Sequence, residues 1–399
     1  MPAPTRRARS AALVVYLVLA TALAGCSDEV EPPDAAPTPT PTPTASEPTP
    51  TQVPYKVAPE IRTRVLPQLA APGSAPQRAR DAYWVVEVTD PKARPGRVVE
   101  LEARSGDVWG VVDTAKVRPG GRVTFTSSLP GRLRVVTNRA KGRVGRTVHT
   151  RDATAVSLTD DFDNLNPALW QTRAQGYAGV RMCSRADDSA VAVTDGVLQV
   201  KVLDDPAAGT CSTEGRAHAY RLNGHIGTEG RYSFTHGFAA ARIKFQSREG
   251  QHGAFWLQTP WIGNGSAWDN GAEIDVMEYF GDTAPHGGLA SFAYWWPESG
   301  GAKVGGWLKN HQELGSNWSS QYHVFSVEWT PSEYIFRVDD KIAWRTSEGV
   351  SGVPQFLVLS LLSSDYELKH MRDTDLPASM KVDWVRTWVT GTQSGTYLG

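Results

Sequence analysis

Between residues 155 and 390 apolar and polar side chains alternate in short runs, DGVLQVKVLD, GFAAARIKFQ, AEIDVMEYF, YHVFSVEWT, YIFRVDDKIAWRT, QFLVLSLL and MKVDWVRTWV, and no helical period is sustained anywhere. Successive side chains of a strand point to opposite faces, so this is the pattern of many half-buried strands. Without amphipathic helices to cover them, such strands must bury their apolar faces against one another, which makes this region an all-β sandwich or barrel. Its length suits a large two-sheet jelly roll. The region has no internal repeat, and no glycine-rich phosphate loop stands at a strand-to-helix junction, which argues against nucleotide binding.

A second set of strand-like runs, YWVVEV, RVVELEAR, DVWGVV, RVTFTSS and GRLRVVTN, is punctuated by the turn signals DPKARPG, RPGG and LPG. A small β-sandwich of immunoglobulin or fibronectin type is expected over residues 57–150. From Lys56 to Arg146 there are 18 Lys plus Arg against 8 Asp plus Glu, although the whole chain has a net charge of −1. The near-neutral total excludes a general nucleic-acid binder, while the local excess would attract an anionic wall polymer or acidic glycan. The alternative is a solvated spacer without a partner. A monomer is expected.

The N-terminus places Arg6, Arg7 and Arg9 before the apolar run AALVVYLVLATALAG, the layout of an export signal over residues 1–25. The run is too short for a comfortable membrane span. Leu23-Ala24-Gly25-Cys26 resembles a bacterial lipobox, which implies cleavage before Cys26 and lipid on its sulfur. An ordinary secretory signal or an uncleaved anchor are the alternatives. Lipidation of Cys26 would leave Cys183 and Cys211 as a pair in an oxidising compartment, where a disulfide is the default. Residues 26–56, dominated by Pro and Thr, read as an extended linker that holds the rest clear of the membrane, on the extracellular face.

The stretch NGAEIDVMEYFG, residues 270–281, puts Glu273, Asp275 and Glu278 within six residues of an apolar strand. Alternation sends Glu273 and Asp275 to one face and would bury Glu278. One extra residue in a β-bulge, with Met277 the natural candidate, would return Glu278 to the same side. Two carboxylates on one groove are the minimum equipment for glycoside hydrolysis, and a separation of about 5 to 5.5 Å gives retention of configuration. Asp275 between them would raise its neighbours' proton affinity. A solvated edge strand is the alternative, but no Lys or Arg is interleaved with these acids to relieve their repulsion.

AEIDVMEYFG resembles the signature of glycoside hydrolase family 16, in its β-bulge, laminarinase-like branch with Glu-x-Asp-x-x-Glu. Further similarity lies in TEGRYSFTHGFAAARIKF, GAFWLQTP, YHVFSVEWTP and MKVDWVRTWV, so the resemblance spans residues 161–389. It implies a concanavalin A-like jelly roll over residues 155–390, with Glu273 as nucleophile, Asp275 as supporting acid and Glu278 as acid/base. It also implies sugar stacking on Trp256 and Trp268 and a structural role for His323. Trp295, Trp261 and Trp296 either extend that platform or serve core packing and loop anchoring. No cofactor is required; a structural calcium would be held by Asp383 and the carbonyl of Gly196. The expected activity is that of a surface-anchored, retaining endo-β-glycosidase acting on a β-1,3- or mixed-linkage glucan, or on a galactan.

Departures from the family pattern bear on the substrate. His236 stands where Tyr is frequent, Ala240 where Glu is, Ala272 replaces a Gly, and His252-Gly253 replace Trp-Pro. A histidine frequent on the strand after the acids is replaced, by position count, by Ala293. The competing functions are a carbohydrate-binding lectin on the same scaffold, which should have lost one of the acids, and a transglycosylase using the same residues.

Overall fold

A computed structural model describes residues 55–68, 70–77, 83–127, 130–153, 156–260, 263–339 and 341–395. The export signal, Cys26, nearly all of the Pro/Thr linker and Trp261 lie outside the described residues. Lys56–Val57 pairs in parallel with Arg143–Val144 as part of the first sandwich.

That sandwich packs the sheet of Arg62–Gln68, Tyr83–Thr89 and Arg122–Ser127 against a second one containing Val98–Ser105, Val108–Lys116 and Arg132–Asn138. Ile61, Val86, Val88, Val99, Leu101, Phe125 and Leu133 fill the space between. In Val98–Ser105 the alternation read from sequence buries Val99 and Leu101.

The larger sandwich is built from twelve main strands: β1 Val197–Asp204, β2 Arg221–Gly227, β3 Gly237–Lys244, β4 His252–Gln258, β5 Glu273–Tyr279, β6 Leu289–Trp295, β7 Ala302–Trp307, β8 His323–Trp329, β9 Tyr334–Val338, β10 Lys341–Thr346, β11 Phe356–Leu362 and β12 Ala378–Val389. Their spatial order is β7-β6-β5-β4-β11-β2-β1-β12-β3-β8-β9-β10. The path doubles back around β2 and β1, so that Phe255, Ile274, Leu357 and Leu359 of one half meet Val200, Ala241, Phe336 and Val382 of the other in one core. This is the jelly-roll class read from the alternation. Its helices are four-residue turns, Ala267–Asn270 and His311–Leu314. No helix among the described residues is long and apolar enough to cross a membrane.

The segment after Arg62–Gln68 runs over the outer face of β3 and β12. Ala70 joins Phe238, Ala240, Trp384 and Trp388 in a small apolar cluster there. Arg242 on β3 donates to the carbonyls of Ala71 and Ala75 and, at 2.6 Å, to Asp383. Arg337 on β9 is paired with Glu87 at 3.2 Å and Glu328 at 3.0 Å, and Arg64 is paired with Glu328. Arg337–Glu87, Arg64–Glu328 and the Arg242 bonds to backbone thus join the two sandwiches.

Asp383 is thus committed. Its Oδ2 accepts from both Arg242 and the Gln77 amide. A guanidinium stands where a hard cation would need further oxygen ligands. Among the described residues no group of three or more His, Cys, Asp or Glu side chains is placed to hold a metal. The expected calcium pair of Asp383 and Gly196 does not fit these surroundings.

Candidate active site

The register around β5 shows how three acids reach one face. On the β4 side Trp256 pairs with Asp275 but Phe255 pairs with Met277, and on the β6 side Asp275 faces Phe292 while Glu278 faces Ala290. One residue is therefore extra, and the bulge comprises Val276 and Met277 rather than Met277 alone. Both of these consecutive side chains are buried in the core, an arrangement that strict alternation forbids. Ser291 of β6, the one residue opposite the pair, donates its buried hydroxyl to the carbonyl of Asp275 at 2.7 Å, with that of Val276 at 3.2 Å. The kink therefore has its own hydrogen-bond partner.

Glu273 and Glu278 are half-buried, and Asp275 is 5% exposed. Burial, then the charge of Glu278, pushes Glu273 up to about 7. Burial and both neighbouring acids raise Asp275 well above the carboxylate range. Burial also raises Glu278, against a lowering by His252. Three acids that feel one another cannot all ionise near neutrality. A recess with this property can hold one carboxyl protonated while another is an anion.

Around them stands a shell that comes from distant parts of the chain. Gln258 directs its amide nitrogen at Glu273 Oε2, 3.5 Å away, because its oxygen is taken by Arg173 Nη2 at 2.6 Å. Arg173 also pairs with Glu229 at 3.5 Å and contacts His225 Nε2 at 3.2 Å. An arginine only donates, so that His225 nitrogen accepts. Burial and the Arg173 charge hold His225 down to about 3, in its neutral form. The Trp256 ring faces both of them, His225 6.0 Å away and the Arg173 guanidinium at 5.1 Å. Its indole N–H donates to Ser360.

Trp268 sits in the turn Ala267–Asn270, capped by Ser266, and is 46% exposed. It stacks on His236 at 5.7 Å, and the chain passes beneath its ring at Gly352, where an added Cβ would come within 2.6 Å of the indole. Gly271 and Ala272 connect the turn to Glu273. A cavity of about 740 Å³ continues from Phe356, beside Gln258, past Asn270, Pro260 and Pro354.

The register of β6 sorts its side chains. Tyr294, not Trp295, pairs with Glu273 and shares its face; Trp295 has the opposite parity and packs against Gly349. Ala293 pairs with Ile274 inside the core, so it is not the residue that faces the acids; Phe292 and Tyr294 are. Trp296 is half-buried, and its carbonyl accepts from Gly265. His323 is buried against Asp339 at 3.0 Å. Cys183 and Cys211 are joined in a disulfide. It tethers the loop bearing Arg181, whose neighbours Met182 and Cys183 donate their amides to Asp365. Arg173, Gln258, His225 and Glu367 were not singled out from sequence for roles at the acids; the departure at His252 was the one available signal.

The profile of glycosyl hydrolases family 16 matches residues 187–386, half of the 399-residue chain. The chain belongs to glycosyl hydrolases family 16. Among similar proteins, glucan endo-1,3-beta-glucosidase A1 of Niallia circulans is 25% identical over 248 residues, 58% of this chain and 34% of that protein. A beta-glucanase of Rhodothermus marinus is 27% identical over 197 residues, 47% of this chain and 63% of that protein. A keratan-sulfate endo-1,4-beta-galactosidase of Sphingobacterium multivorum is 25% identical over 184 residues, 43% of this chain and 40% of that protein. The chain thus spans between about a third and just under two thirds of the length of these relatives.

Proposed function

We propose that this family 16 protein is a retaining endo-β-glycosidase that cleaves a β-linked polysaccharide by double displacement. The observation that carries the reading is the bulge at Val276 and Met277, which delivers Glu273, Asp275 and Glu278 to one recess. In the first step Glu273 attacks the anomeric carbon as a carboxylate while Glu278 gives its proton to the departing glycosidic oxygen. In the second, Glu278 takes a proton from water, whose oxygen displaces Glu273 from the sugar. Asp275, between the two, discourages simultaneous ionisation, and Gln258 steers Glu273.

Trp256, Trp268 and Tyr294 offer flat faces for pyranose rings. The cavity beyond Phe356 provides length for a polymer on the Glu273 side. A β-1,3- or mixed-linkage glucan is the favoured substrate, supported by the names of two relatives; the galactosidase relative makes a galactan the second choice. Anchorage through lipid on Cys26, a position outside the membrane, and attraction of the basic first sandwich to an anionic wall polymer complete the proposal. No cofactor enters the chemistry.

The test is reducing-sugar release by the chain from Ser27 onward on laminarin, mixed-linkage glucan, xyloglucan, agarose and envelope galactan. Glu273→Ala and Glu278→Gln should each lose at least about a hundredfold in kcat with the fold intact. Turnover at the wild-type rate in either variant would overturn the assignment. Added acceptor saccharide, with product sizing, separates hydrolysis from transglycosylation.

A further inference from the structure

The outer face of β4 carries His252, Ala254, Trp256 and Gln258. Ala254 stands directly opposite Glu278, and Gly253 opposite Tyr279, so His252 is the next residue along that face and lies opposite Phe280. Its imidazole stacks on the Phe280 ring, 5.2 Å between centroids and 25° between planes. Ala254 offers Glu278 only a methyl group. Diagonal neighbours on one face of an antiparallel pair lie about 7 to 8 Å apart, within reach of two long side chains. His252 is thus the polar side chain of β4 closest in register to Glu278.

Its other side is fixed. Nδ1 lies 2.9 and 3.0 Å from the two oxygens of Glu367, so it carries a proton and donates it there. Glu367 is itself held by the Ser364 amide at 2.9 Å. Gly253 presses β4 onto the core so closely that a Cβ would come within 2.6 Å of Gln246 and 2.9 Å of Phe245. His252 is 5% exposed. A buried imidazole oriented by a carboxylate, one pleat away from a reacting acid, is not explained by packing alone.

We propose that His252, oriented by Glu367, is a positioning residue for Glu278, holding that carboxyl in place as it gives its proton to the leaving oxygen and takes one back from water. The proposal rests on the role given to Glu278 above. No proton passes through His252, which remains bound to Glu367 throughout. Burial alone would lower the proton affinity of His252; Glu367 and then Glu278 reverse this and raise it, against Arg181. Glu278 is faced by His252 from β4, by Lys303 from β7, by Arg181 from the disulfide-tethered loop and by Glu367 beyond β11, besides the acids of its own strand. Tyr294 of β6 and Tyr366 lie within the same field. Of the His252–Glu367 pair, the imidazolium favours the Glu278 carboxylate and the Glu367 charge opposes it.

Two measurements on the full exported chain test this. The imidazole titration of His252, followed by NMR with labelled histidine, should move to lower pH in Glu278→Gln, because a neighbouring negative charge is lost. An unmoved midpoint overturns the pairing whether or not the protein is active. The second measurement is the pH dependence of turnover in His252→Gln, with near-UV circular dichroism as the check on folding. Its kcat should fall about 10- to 100-fold with KM little changed, and the alkaline limb of kcat/KM should shift to higher pH. A wild-type rate, or a loss with an unmoved profile, overturns the positioning role. A shifted titration in a wild-type protein that degrades no polymer would instead overturn the reaction on which the proposal rests.

Discussion

Glu273 is held where a carboxylate is least comfortable, in a recess with two other acids and little water. In the unfolded chain it titrates near 4.5; in the fold, burial and Glu278 push it up to about 7. Between those values the native state binds more protons than the unfolded state, so stability falls as pH rises through that window and the penalty is complete above it. Glu273→Gln removes the charge and keeps the shape. Each tenfold change in proton affinity on folding is worth about 1.4 kcal/mol, so at pH 8 the variant should be more stable than wild type by about 1 to 3 kcal/mol, and the gain should vanish below about pH 4.5. Denaturant unfolding at a series of pH values checks this; equal stability of variant and wild type at pH 8 would show that the recess is better hydrated than its packing indicates. The variant should at the same time be inactive, which makes the trade between stability and activity visible at one position.

At the scale of the element, the bulge is the device on which the acids depend, and Ser291 is its support. The Ser291→Ala variant leaves the carbonyls of Asp275 and Val276 without their buried donor. The loss should cost about 1 to 3 kcal/mol and lower kcat at least about tenfold, with Glu278 no longer held on the outer face. A variant with wild-type melting and turnover would show that β4 and β6 pairing alone sets the kink. The bulge was legible because Glu278 has the wrong parity for a surface acid in an unbroken strand. The identity of the partner residues was not. Which residues of β6 face the acids could not be read from sequence, because the register depends on the connection between β5 and β6, where Pro285–Gly288 closes a tight turn with His286 and Gly287 at positive φ. A one-residue error in such a turn exchanges the two faces of the next strand. Arg173 lies 100 positions before Glu273, and Glu367 lies 89 positions after Glu278. No local pattern connects residues so far apart; strand order brings them together.

At the scale of the whole molecule, a buried ion pair of the larger sandwich also holds backbone of the first. Arg242 and Asp383 are both under a tenth exposed, and each also bonds backbone from the segment that leaves the first sandwich. Burial holds the Asp383 carboxyl above its usual range even with the Gln77 amide and Arg242 beside it. A pair of this kind adds little net stability but is costly to break from one side. The Arg242→Met variant abandons a buried carboxylate and should cost about 3 to 5 kcal/mol at pH 7. That loss should shrink as the pH is lowered and Asp383 takes up a proton, since only its charged form is penalised. Adding Asp383→Leu removes the stranded charge and should recover part of the loss at neutral pH. Because β3 and β12 lie in the sheet away from the acids, kcat per folded molecule should change little in either variant. Unfolding curves of both, with turnover measured below the transition, decide the matter. If Arg242→Met unfolds at the wild-type denaturant concentration, the first sandwich is not coupled to the second through this pair. If kcat falls with stability, the first sandwich is coupled to the recess itself.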